Sequence, residues 1–197
     1  MLVFGYHGTF EEAAKSMCQN EFKFKDADHH WLGNGIYFFQ DAPYRAWEWA
    51  KNNVPEVRIG SKPAVICAII ELTPEECIDL LDIRWFPYIT KLYHNYLKNS
   101  GKSPPDQISI KDLLEMRGKI TGKPHRLDCD IINQAISVLK EKEKIDIHAV
   151  RAAFLEGTPI ISDGSHLFNR AHIQIVVRDT GLSTIKKCSQ LEQLLLE

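Results

Sequence analysis

The chain opens on Leu2-Val3-Phe4-Gly5-Tyr6, an apolar run of strand length, so residues 2–6 read as a first strand. Thr9, with Glu12 three positions on, has the form of a capping box. That predicts a helix over about residues 10–18 with Ala13, Ala14 and Met17 on one face. Residues 20–30 are polar and read as a loop. Gly33 and Gly35 then lead into Ile36-Tyr37-Phe38-Phe39, the pattern of a turn feeding an aromatic strand. Pro43 opens a helix carrying Ala46, Trp47, Trp49 and Ala50, and the nearly continuous apolar run at residues 64–72 predicts a buried strand.

From about residue 83 to 145 the pattern turns mainly helical, broken by Ser103-Pro104-Pro105 and Gly122-Lys123-Pro124. Residues 130–144 form the clearest amphipathic stretch, and its closing charged run reads as a solvated face. Strand character returns at residues 172–177, and residues 191–196 read as a short leucine-rich helix or strand. Strands at both ends with helices between predict one α+β domain over residues 1–197, with a mainly helical insert at about 83–145. Neither a G-x-G-x-x-G after a first strand nor a phosphate-loop lysine motif is present, so a dinucleotide would have to bind outside a Rossmann sheet.

The bulk composition removes several function classes. A hydrophobic fraction of 44% and a charged fraction of 25% fit a globular chain with a core and argue against disorder. A net charge of -2 supplies no global field for nucleic acid or anionic membrane. Locally, Lys111, Arg117, Lys119, Lys123, His125 and Arg126 make a loosely basic region that reads first as a solvated face. The five cysteines are scattered without CxxC spacing, which argues against a zinc ribbon or a disulfide framework and for free thiols in a reducing cytoplasm. No secretion signal is expected from MLVFGYHGTFEEAAK, and no apolar run reaches the ~20 residues of a membrane span. The His29-His30 pair has no companion ligand spacing, so no metal is expected.

Three patterns carry candidate chemistry. In Tyr6-His7-Gly8-Thr9 a glycine lets a ligand approach the backbone beside a histidine that can accept from a ribose hydroxyl; taken alone, the pair reads first as a structural histidine. In the Trp31–Phe39 run, a glycine-flanked aromatic at a strand start can stack a flat heterocycle or simply fill a core. In His172-Ile173-Gln174-Ile175-Val176-Val177, alternation puts His172, Gln174 and Val176 on one face, where a glutamine hydrogen-bonds but cannot act as a base.

Taken in order, His-Gly-x, the loop, Leu-Gly-x-Gly-Ile-Tyr-Phe and the alanine-containing helix resemble the ADP-ribosyltransferases of the diphtheria-toxin and poly(ADP-ribose) polymerase type, with a further likeness to small bacterial and phage-associated members. The resemblance covers residues 1–50, 63–82 and 146–179 and leaves the insert unmatched. It implies a split-sheet catalytic core and NAD as the substrate. His7, Tyr37 and Gln174 would take the three signature positions, and His7, Gly8, Thr9, Gly35, Tyr37, Ala46 and Gln174 would line the NAD site. Arg45 stands where the polymerase-like members carry serine, Glu48 near their second stacking tyrosine (Trp47 or Trp49 could substitute), and Gln174 replaces their usual glutamate. The implied activity is therefore mono-ADP-ribosyl transfer to a macromolecular acceptor, protein or nucleic acid. The implied setting is a cytoplasmic toxin or anti-phage effector, with an antitoxin as a possible partner and no membrane. Two alternatives stay open: an NAD glycohydrolase, which would use the same residues with water as acceptor, and a non-catalytic NAD- or ADP-ribose-binding module, in which Gln174 marks lost chemistry.

Overall fold

The computed structural model describes residues 1–19, 22, 30–53, 60–100, 126–162 and 166–191. The first strand, β1 (Leu2–Phe10), runs four residues past its apolar opening, and α1 (Glu11–Cys18) follows at once. Thr9 does not cap that helix: the N-cap is Phe10, without a side-chain bond. The competing interaction is the ladder with β3 (Pro63–Glu71), which takes Thr9 opposite Ala64 and Phe10 opposite Pro63 and continues into a Glu11 N–H to Lys62 carbonyl bond of 3.0 Å. That bond satisfies one of the donors a cap would have served.

The remaining strands are β2 (Ile36–Gln40), β4 (Cys77–Asp79), β5 (Ala149–Phe154), β6 (His172–Val177) and β7 (Ile185–Gln190). All seven form one sheet in the order β4-β5-β6-β2-β1-β3-β7, parallel at β4/β5 and antiparallel elsewhere. The class is α+β. The joints are unequal. β1 and β3 match over nine residue pairs, β2 and β6 over five, but β1 and β2 meet only through Gly5↔Gln40 and Tyr6↔Phe39. The sheet is thus two halves held at a short seam.

One face curls around a core of Ile36, Phe38, Ile66, Ile70, Ile175 and Val177, with Cys77 and Ala149 arriving from the far strands and Ala14 and Met17 from α1. Among the described helices, α1 supplies the contacts to this core. The other face carries α2 (Pro43–Asn53), α3 (Phe86–Ser100) and α4 (Arg126–Val138). Leu92, Ile132, Ala135 and Ile136 pack there on Ile78, Val150, Ala152 and Val176. The helices of the insert are therefore part of the main core. α4 starts earlier than its sequence pattern and ends in a wider turn, Leu139–Glu143, closed by Lys144 in the left-handed region (φ 61°).

Residues 101–125, with the two proline-containing breaks and most of the basic region, lie outside the described residues, as do most of residues 20–30 and the tail beyond 191. Among the described residues no helix is long and apolar enough to cross a membrane.

Candidate active site

The seam between β1 and β2 places the first site residues. Phe4 accepts from the Asp41 N–H at 2.9 Å, so even-numbered residues of β1 turn their peptide groups towards β2 and odd-numbered ones towards β3. On that alternation the next ladder bonds would join Tyr6 to Phe39 and then Gly8 to Tyr37. The second pair is not made. Instead the His7 Nδ1–H donates to the Tyr37 carbonyl at 2.7 Å. The imidazole occupies the place of a strand-to-strand bond, and the Gly8 N–H and C=O are left facing the gap without a ladder partner on β2.

A carbonyl only accepts, so Nδ1 carries the proton and Nε2 is left with a lone pair. Burial pushes the His7 pKa down, and the bond to Tyr37 opposes this in part. The ring lies against Phe38, centroids 5.8 Å apart, on the curled face of the sheet. Tyr37 and Gln174 belong to the opposite face, so His7 meets Tyr37 through its backbone. On the helix-covered face Gly8 has Ala46 directly above it: a Cβ on Gly8 would come within 2.1 Å of the Ala46 carbonyl oxygen. Glycine here lets α2 lie close to the strand, and the fully buried Ala46 seats that helix on Gly8 and Phe39.

The turn before β2 fixes Tyr37. Its hydroxyl donates to the Gly33 carbonyl and accepts from the Leu32 N–H, both at 2.9 Å, so the ring is pinned by the turn it follows. Burial raises the phenol pKa far above its ordinary value, with the Leu32 N–H opposing, and Tyr37 is no proton donor in the neutral range. Gly33 has φ +83°, a region that favours glycine, and Gly35 has Val176 Cγ1 only 2.4 Å from where a Cβ would sit. The turn is held from outside by α4. Asn133 Oδ1 accepts from the Asn34 N–H and from Arg178 Nη1, both at 3.2 Å, and Arg178 also reaches the Asn34 carbonyl at 3.1 Å.

Gln174 pairs with Phe39 on β2 and Ala152 on β5, which brings it to the face that Tyr37 occupies. Its amide is held at both ends. Trp31 Nε1 donates to Oε1 at 2.6 Å, and Nε2 faces His172 Nε2 at 2.9 Å. Among the described residues, one lone pair and one N–H of the amide have no further partner. Around it stand Trp31 on Phe154 (4.8 Å between centroids) and His30 on Tyr37 (4.8 Å). Beside His172 lies an ion-pair network: Arg45 joins Glu48 and, at 2.8 Å, Glu156, while Arg170 joins the other oxygen of Glu48. Arg45 and Glu48, two of the three departures from the pattern the sequence resembles, thus pair with one another. Alternation in the sequence set His172 beside Gln174 on one face, but it gave no sign of Trp31 as the other partner of Gln174, of Asn133, or of the links from Arg45 to Glu156 and from Glu48 to Arg170, each of which joins residues more than forty positions apart.

The other candidates are placed as follows. Thr9 is half-buried in β1 opposite Ala64 and spends its peptide groups on β3. Trp47 joins the Phe39, Ala46 and Val65 cluster, whereas Trp49 is 45% exposed. Among the described residues no group of three or more His, Cys, Asp or Glu is placed to hold a metal, and His29 lies outside them. All five cysteines are free, with Cys18 and Cys188 sulfurs 3.7 Å apart. An open depression of about 560 Å³ lies beyond the ends of β2, β5 and β6, with Gln40, Asp41, Phe154 and His172 among its walls.

Chemically, the seam offers a peptide donor and acceptor side by side, an imidazole lone pair and a pinned aromatic ring. The adjoining face offers a neutral amide, and Glu156, the acid nearest in sequence to that strand among the described ion pairs, is held by Arg45. Comparison of the chain with sequence models of known families, with curated proteins and with solved structures returns no match.

Proposed function

We propose that this protein cleaves NAD at its nicotinamide glycosidic bond and transfers a single ADP-ribose to a macromolecular acceptor, as a mono-ADP-ribosyltransferase of the His-Tyr-x branch. The observation that carries this reading is the Gly8 peptide in the β1/β2 seam, which has no ladder partner on β2 where His7 bonds to Tyr37 instead. A primary carboxamide presents one acceptor and one donor side by side, and Gly8 supplies the complementary pair from one strand edge. Tyr37, immobilised through its hydroxyl, supplies a flat surface beside that edge. The His7 Nε2 lone pair accepts from a ribose hydroxyl, and the free half of the Gln174 amide serves the nicotinamide ribose.

The leaving nicotinamide is already cationic in NAD, so bond cleavage needs no general acid. The site's work is to hold the bond strained and to complement positive charge developing on the ribose. Neutral groups suffice for holding. The missing carboxylate bears on the second half of the reaction: Gln174 cannot take a proton from an acceptor, which disfavours chain growth and favours one transfer to a nucleophile that is reactive by itself or activated elsewhere. A bacterial toxin or anti-phage role with an antitoxin partner belongs to the same reading by analogy alone.

The test is incubation with NAD labelled in its adenylate moiety and a total cell lysate, followed by separate protease and nuclease digestion. Label released by one digestion identifies the acceptor class. Nicotinamide release without macromolecular label makes the enzyme a glycohydrolase, and NAD left intact contradicts catalysis altogether.

A further inference from the structure

The hydrogen bonds around Gln174 have only one consistent set of directions. An indole N–H only donates, so the amide atom facing Trp31 is the oxygen, and the atom facing His172 is the nitrogen, a donor. His172 Nε2 must then accept, and the ring proton must sit on Nδ1, where it donates to the Arg170 carbonyl at 2.6 Å. The chain of donors runs from Trp31 through Gln174 and His172 to Arg170. It holds only while the imidazole is neutral.

We propose that His172 is the positioning residue for Gln174, and that its protonation state decides which way the Gln174 amide faces. A proton on Nε2 would set two donors against each other. The amide would escape by turning over, but Nε2 would then face the indole N–H of Trp31, another donor. Protonated His172 therefore leaves Gln174 with one bond instead of two and without a fixed orientation. Glutamate at this position has no such conflict, because a carboxylate accepts from Trp31 and from a protonated His172 together. Glutamine and neutral histidine belong together in this site, and a glutamate would convert the pair to carboxylate and imidazolium.

The surroundings of His172 favour the neutral form. The ring is 8% exposed, with Phe39 at 4.8 Å and Phe154 at 5.5 Å between centroids. Burial lowers its pKa most, and Arg45 from α2 lowers it further, while the Arg170 carbonyl and Glu156 oppose. Glu156 is held by Arg45, and Glu48, the other acid of the network, lies between Arg45 and Arg170, so neither carboxylate is left to stabilise an imidazolium alone. The consequence for NAD cleavage rests on the transferase reading; the orientation of the amide does not.

The experiment is nitrogen NMR of the His172 ring across pH in the wild-type protein, Trp31→Phe and Gln174→Glu, beside pH profiles of NAD cleavage for wild type and His172→Gln. The wild-type ring is expected as the Nδ1–H tautomer at neutral pH. Gln174→Glu raises its titration midpoint, and so does Trp31→Phe, because without the indole the amide turns over at no loss. NAD cleavage by wild type falls below the His172 midpoint and levels off no lower than the activity of Gln174→Ala, because protonation removes at most what the amide contributes, and His172→Gln loses this part of the acid limb. An Nε2–H tautomer, or a midpoint unmoved by both substitutions, overturns the proposal. A correct tautomer with shifted midpoints but no NAD cleavage at any pH supports the positioning role and overturns the transferase reading instead.

Discussion

His7 stands where β1 and β2 would otherwise close: its Nδ1 donates to the Tyr37 carbonyl at 2.7 Å, in place of the ladder bond expected from Gly8. A side chain used in this way is a wedge. It keeps two strands within bonding distance at Tyr6 and apart one pair later.

Replacing His7 by alanine removes one hydrogen bond and the wedge together. The Gly8 and Tyr37 peptides are then free to pair, and one bond of about 1 kcal/mol replaces another. His7→Ala should therefore keep its unfolding free energy within about 1 kcal/mol of wild type while losing NAD binding. Urea denaturation and calorimetric titration with NAD measure the two effects. A large loss of stability would mean that His7 is merely a core histidine.

Asn133 ties the insert to the turn that precedes Tyr37. Its Oδ1 is the common acceptor for the Asn34 N–H and Arg178. Asn133→Ala leaves a part-buried peptide donor and a guanidinium N–H without this partner, a loss of about 1–3 kcal/mol. Beyond that loss, NAD cleavage should fall through a higher KM, since the turn carries Tyr37 by its hydroxyl. Steady-state kinetics alongside thermal melts separate the two, and an unchanged KM would uncouple the insert from the site.

Acid should weaken the fold before carboxylates are protonated. His7 and His172 both have pKa values lowered by burial, so between those values and the unfolded value of about 6.5 the unfolded chain binds more protons. Stability therefore rises with pH through this window and is lost as pH falls from about 6.5. Glu71 and Asp82, held low by Lys186 and Arg84, contribute only in the more acidic range. Urea midpoints should drop on going from about pH 7 to about pH 5, and less steeply in His172→Gln. A flat wild-type profile would contradict the neutral, buried imidazoles.

Much of the fold was readable where hydrophobic pattern and local turn chemistry agree. The Gly33–Gly35 turn into β2, the Pro43 start of α2, the apolar β3 and the whole of β6 follow from their own residues. Three strands did not announce themselves. β4 is three residues long, β5 reads Ala149-Val150-Arg151-Ala152-Ala153-Phe154 with alanines that favour helix, and β7 is an edge strand whose Lys186 and Lys187 face solvent. Thr9 failed as a cap because pairing with β3 outweighed a side-chain bond. For the site, the motif residues were visible one by one. Alternation already set His172 beside Gln174; the relations it could not give, His7 wedging the seam against Tyr37 and Trp31 holding the far side of the Gln174 amide, come from strand pairing and a turn distant in sequence.

The central claim is that the β1/β2 seam cleaves NAD. The measurement that tests it most directly is nicotinamide release from NAD by the purified protein, with and without cell lysate, set beside Tyr37→Ala and Gln174→Ala. Wild type should release nicotinamide, faster with lysate, and attach one ADP-ribose per modified site, as intact mass of the labelled acceptor would read. Gln174→Ala should lose a factor corresponding to about 1–3 kcal/mol of transition-state binding, and Tyr37→Ala most of the activity, with both proteins folded. No release by wild type under any condition, or near-normal release by a folded Tyr37→Ala protein, would contradict the account.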